Sequence, residues 1–153
     1  MKRVALLLLA LFTVACSTER RDVHAYFQAV DPYIRKLVEF QVRLTDVSAQ
    51  PREQRQAGYE AIAKEAEGVR AKLDAIQPPV AAQNYHKLLS ALISDFGSFA
   101  SLTARRVDQS QPDAERQKAK AEVEKLQASW PSRLEALKLE QDLLGSRFGI
   151  RFD

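Results

Sequence analysis

The chain has 153 residues, 46% of them hydrophobic, with 23 Lys and Arg against 20 Asp and Glu. Basic residues cluster only as doublets such as Arg20-Arg21 and Arg105-Arg106, so the concentrated cationic face that nucleic acid requires is not expected. One cysteine and two histidines exclude an internal disulfide framework and leave few soft metal ligands, and the length suits a single domain with one core.

Met1-Lys2-Arg3 opens the chain, followed by an apolar run from Val4 to Val14, then Ala15 and Cys16. A positive start, a short apolar segment and a small residue before the cut are the parts of a secretory signal peptide, and this run is too short to span a bilayer that needs about 20 residues. Residues 1–15 are therefore read as a cleaved leader. Lys2 and Arg3 leave with it, so the 23 basic residues fall to 21 against 20 acidic ones and the mature chain is nearly neutral. The stretch Thr13-Val14-Ala15-Cys16 resembles the lipobox of bacterial lipoproteins, with Thr13 standing where that family usually carries Leu, Val or Ile. The resemblance implies cleavage before Cys16, a diacylglyceryl group on its thiol and a further N-acyl chain, with palmitate as a typical component. It also implies, from Ser17 rather than Asp after the cysteine, an outer-membrane lipoprotein facing the periplasm. Acylation would remove a lone thiol that has no intramolecular partner in an oxidising compartment. Ordinary cleavage after Ala15, giving a soluble periplasmic protein, is the alternative. Residues 16–21 read as a short polar tether.

Four segments of helical periodicity follow. From about Asp22 to Val47, Val23, Phe27, Val30, Ile34, Leu37 and Leu44 recur at three- and four-residue steps. Pro32 interrupts that pattern, and a helix restarting at Pro32 under an Asp31 cap is the expected solution. Pro51 suits the first turn of a second helix carrying Tyr59, Ile62, Ala66, Val69, Leu73 and Ile76, which Gln77-Pro78-Pro79 ends. The third segment, from about Val80 to Val107, is the most apolar, with Tyr85, Leu88, Leu89, Leu92, Ile93, Phe96, Phe99 and Leu102 on one broad face. After Ser110, which has capping-box-like spacing to Asp113, the fourth shows Ala119, Val123, Leu126, Trp130, Leu134, Leu137, Leu144 and Phe148. Pro131 is expected to kink or split it, and Gly145 to end it. Short connections between long helices predict antiparallel neighbours, hence an all-α, up-down-up-down four-helix bundle over residues 22–147. A long antiparallel coiled coil is the competing architecture, disfavoured by an aromatic content that a two-helix seam cannot house.

Chemistry-bearing motifs are sparse. His24 and His86 share one end of the expected bundle but flank the apolar stripes, and neither a covalent haem motif nor a di-iron Glu-x-x-His pair accompanies them, so no cofactor and no metal are expected. Asp95 reads as a flank residue paired with a base, and no serine or threonine sits in a nucleophile motif. No catalytic residue is assigned. Two candidate sites remain besides the lipid attachment at Cys16. Distorted backbone near Pro32, Gly97 and Pro131 could open an apolar pocket beside Trp130. The tail, residues 148–153, alternates Phe148, Ile150 and Phe152 in a strand-like period, so it either caps the bundle end or offers an extended edge to a partner. The functional expectation is a membrane-anchored, non-enzymatic protein-binding, scaffold or assembly module of the cell envelope, with an envelope protein as partner. A carrier of a small apolar ligand or cofactor is the alternative.

Overall fold

The computed structural model describes the backbone of residues 2–152 and the side chains of residues 18–152; Cys16, on which the lipid-attachment reading rests, lies outside the described side chains. Helix α1 (Lys2–Ala49) is followed by α2 (Arg52–Asp74), a 3-10 turn at Val80–Ala82, α3 (Gln83–Val107) and α4 (Asp113–Phe148). The chain is an all-α four-helix bundle in up-down-up-down order. Helices α2 and α4 pack most extensively on α3, and α1 packs on α2 and α3. A single core of Val23, Val30, Phe40, Ile62, Leu73, Tyr85, Leu89, Leu92 and Ile93 runs through it, which excludes the coiled-coil alternative.

Neither proline splits its helix: Pro32 lies inside α1 instead of restarting it, and Pro131, where a kink or a split was expected, lies inside an unbroken α4. The reason is where the missing hydrogen bonds fall. Pro32 and Gln28, whose carbonyl loses its donor, are both exposed, as are Pro131 and Gln127, so water can satisfy the freed oxygens. Around Pro131 serine hydroxyls add local bonds, Ser129 Oγ donating to the Leu126 carbonyl at 2.7 Å and Ser132 Oγ to the Ser129 carbonyl at 2.9 Å. Asp31 is not a cap; its carboxylate accepts from Arg35 Nε at 2.8 Å one turn on. Residues 18–21, read as tether, are helical and continue directly into the bundle.

The capping-box expectation also fails. Pro112 occupies the cap position of α4 without a side-chain bond, and the preceding turn is organised by Asp108, whose Oδ1 accepts from the Ser110 backbone N–H at 2.9 Å and from Ser110 Oγ at 2.7 Å. At the other end α4 runs past Gly145 to Phe148. Gly149 is the residue that stops it, at φ 65° in the left-handed region that favours glycine. The N–H groups of Gly149 and Ile150 both return to the Gly145 carbonyl, the latter at 3.1 Å, so the chain turns back on itself instead of extending.

Candidate functional site

The two ends of the bundle and its sides differ in how they are finished. At the end where α1 enters, aromatic side chains close the core. Tyr26 packs edge-on to Phe27 with centroids 5.5 Å apart, Phe27 lies 5.0 Å from Tyr85, and Phe152 of the tail stands against Phe27 at 4.7 Å. Phe148 is buried, and Ile150 and Phe152 are partly buried against the core. Arg147 Nη2 reaches Glu19 at 3.2 Å, and a Cβ on Gly149 would meet the Arg20 guanidinium at 3.1 Å. The tail thus folds over the bundle end, where Glu19 and Arg20 of α1 are fastened to the end of α4.

His86 lies beneath this cap and is buried, deeper than the boundary position its sequence spacing suggested. Its Nδ1 and the Tyr26 hydroxyl are 3.1 Å apart, joining α3 to α1. Burial lowers the imidazole pKa below its usual 6.5, with the nearby Asp74 charge opposing, so the neutral ring that accepts from Tyr26 is favoured. Burial also pushes the Tyr26 hydroxyl up, and holds Tyr85 protonated with a pKa raised to about 12. His24, two residues before Tyr26 on α1, is only partly buried, and among the described residues no group of three His, Cys, Asp or Glu could hold a metal ion.

Midway along the bundle, Trp130 stacks on Phe96 at 4.9 Å and 23°, and its ring lies 5.0 Å from Phe99. Its indole N–H is buried without a partner among the described residues. Beside it Asp95, buried on α3, receives Arg133 Nη1 of α4 at 2.5 Å. Burial raises the Asp95 carboxyl pKa, and the guanidinium pulls it back. This is the flank pair expected from the sequence, with Arg133 as the base. The group packs α4 onto α3.

An open groove lies elsewhere. About 720 Å³ in volume, it runs between α2, α3 and α4, and Trp130 does not line it. Small side chains line much of it, Ala63 and Ala66 from α2 and Ser94, Gly97, Ser98 and Ser101 from α3, with the buried Ile93 and Leu102 among them. At Gly97 the helices come so close that a Cβ would lie 3.2 Å from that of Ala66. Charges of both signs rim it: Glu60, Lys64, Glu67 and Arg70 on one side, Arg105 and Glu122 on the other. Arg70 Nη1 bonds Ser94 Oγ across the α2–α3 seam at 3.3 Å. A smaller opening of about 230 Å³, bordered by Arg105, Lys118 and Glu122, adjoins its upper end. Small lining residues let a helix backbone approach closely, and an alternating charged rim can pair with an amphipathic partner.

Apolar side chains are also left in solvent. Leu139 and Leu143, one turn apart on α4, are more than half exposed. Leu134 belongs to the apolar stripe that the sequence assigns to the core, yet it too is half exposed. Val38 and Val42 of α1 are also more than half exposed. The α1–α4 contacts described above gather at the capped end. Sequence periodicity marks Ala66, Ile93 and Leu102 of the groove as core positions but gives no sign of the opening, because Ala63, Ser94, Ser98 and Ser101 carry no apolar signal. Compared with family models, curated proteins and solved structures, the chain matches none.

Proposed function

We propose that the protein is a lipid-anchored component of the bacterial envelope, attached through Cys16 to the outer membrane on its periplasmic side, and that its bundle is a non-enzymatic docking module for a helical segment of another envelope protein. The observation that carries this reading is the groove between α2, α3 and α4, with its lining of small side chains and its rim of mixed charge. A helix seated there would meet Ser98 and Ser101, both exposed, and could pair its own charges with Glu67, Arg70 and Arg105. The leader and the lipobox-like Thr13-Val14-Ala15-Cys16 support the address.

Crosslinked pull-down of the acylated protein from its own envelope tests the docking reading. The wild type should capture a discrete partner, and Ser98→Trp, which fills the groove from an exposed position, should lose that partner while melting at the same temperature. Capture unaffected by Ser98→Trp contradicts it. A bound chromophore or added native mass in the purified protein would favour ligand carriage instead. For the address, labelled palmitate should enter the wild type and be absent from Cys16→Ala; a wild type found wholly soluble in the periplasm overturns it.

A further inference from the structure

We propose that the bundle end bearing Val80 is a second membrane contact, a rigid apolar tip that rests in the lipid headgroup layer beside the acylated cysteine. The inference rests on the anchor reading above and adds how the domain stands on the bilayer.

The heights of three chain segments carry it. Tyr26 and His86 are bonded side by side, so these residues of the parallel helices α1 and α3 stand at one level. Counting back at 1.5 Å per α-helical residue and 2.0 Å per 3-10 residue, Thr18 lies about 12 Å below that level and Val80 about 10 Å below it. Helix α4 provides an independent check. Asn84 Nδ2 holds Glu140 at 2.9 Å, just below the same level, and Arg147 is seven residues further down; there Arg147 meets Glu19, whose height from α1 agrees to about 3 Å. Thr18, Val80 and Arg147 therefore lie in one plane across the bundle end. Cys16 precedes Thr18 by only two residues, so acyl chains on Cys16 bring that whole plane to the bilayer surface.

What lies in the plane suits lipid. From Ala75 to His86 the chain has no Asp, Glu, Lys or Arg, although 28% of all residues are charged. Val80 at the tip is 83% exposed, the most exposed of the large hydrophobic side chains described, and Pro78-Pro79 before it stiffen the approach. Entering the headgroup layer would expel no charge from water, so the polar penalty is small. Glu19 and Arg147, in the same plane, are paired with each other, while exposed Arg20 and Arg21 can meet lipid phosphates. One valine and its neighbours would bind a membrane weakly on their own, but the anchor supplies a high effective concentration, and a weak contact is then well populated. The consequence is an upright bundle, with Gly97 and the groove held about 25–30 Å from the bilayer surface by the helix rise.

The test uses the full-length acylated protein reconstituted into vesicles of phosphatidylethanolamine and phosphatidylglycerol, with a polarity-sensitive maleimide dye on Val80→Cys or on Gln54→Cys at the opposite end. Both positions are exposed, so neither change should disturb folding. The Val80→Cys dye should shift to the blue on vesicles and be quenched severalfold more strongly than the Gln54→Cys dye by lipids spin-labelled near the headgroup. Wild type that itself takes up the dye has a free Cys16, which overturns the anchor and this contact together. Acylated, vesicle-bound protein whose Val80→Cys dye behaves like that on Gln54→Cys overturns the contact and leaves the anchor standing.

Discussion

Helices α3 and α4 divide the labour of the bundle unequally. α3 buries eleven residues along 25 positions, whereas α4 buries five along 36, so α3 is the post around which the others pack and α4 is held at a few points. Those points are the Trp130 stack on Phe96, the Arg133–Asp95 pair and the folded tail. The comparison teaches that length and apolar periodicity do not measure how deeply a helix is embedded. A long helix pinned at intervals leaves surface of its own in solvent, and the exposed Leu134, Leu139 and Leu143 are that surface.

Substitutions should separate the two helices by size of effect. Ile93→Ala, at a fully buried position of α3, should lower unfolding free energy by about 3–4 kcal/mol in chemical denaturation. Trp130→Ala should cost about 2 kcal/mol, less than full truncation of a buried aromatic because the ring is only partly buried. A larger loss at Trp130 than at Ile93 would break the ranking of the helices. Arg133→Ala should cost about 1 kcal/mol at neutral pH, since its head is partly exposed and the loss leaves the Asp95 carboxylate without its partner. That deficit should shrink on acidification, because burial has raised the folded-state Asp95 pKa above the ordinary carboxyl value and protonation removes the unpaired charge.

The capped end has its own pH signature. His86 has a folded pKa below its ordinary 6.5, so the folded protein binds fewer protons than the unfolded chain in that window. Stability should be level above about pH 6.5 and fall as pH drops below it, and His86→Gln should flatten this part of the curve. Glu65 contributes separately at lower pH. Its carboxyl is held below 4.5 by bonds from Arg43 and Lys36 on α1, so its contribution is present above that value and lost as pH falls through the folded pKa. The smallest effect is expected at Ser98→Trp, within about 0.5 kcal/mol of wild type, because an exposed groove residue supports no packing.

The architecture was legible because a 3.6-residue stripe marks each helix and short connections leave antiparallel neighbours as the economical choice. Punctuation was harder to read. Pro32 and Pro131 signal breaks only if the freed carbonyls are buried, and sequence does not say which way Gln28 and Gln127 face. Gly145 and Gly149 both offer a helix stop, and the choice falls to the glycine with positive φ, where the tail can bring Phe152 onto Phe27. Leu134 shows the converse limit, a residue in perfect register whose partner surface is missing. The groove was hard to read for a different reason: Gly97 was singled out, but toward a pocket at Trp130, and Ala63, Ser94 and Ser98 matter through what they leave empty.

Site-specific photocrosslinking in the living envelope tests the central claim most directly. A photoreactive residue at Ser98 or Ser101 should give one discrete adduct that the same residue at Arg35, exposed on α1, does not give. Equal labelling from both faces, or no adduct from the groove, would contradict a docking role for the surface between α2, α3 and α4.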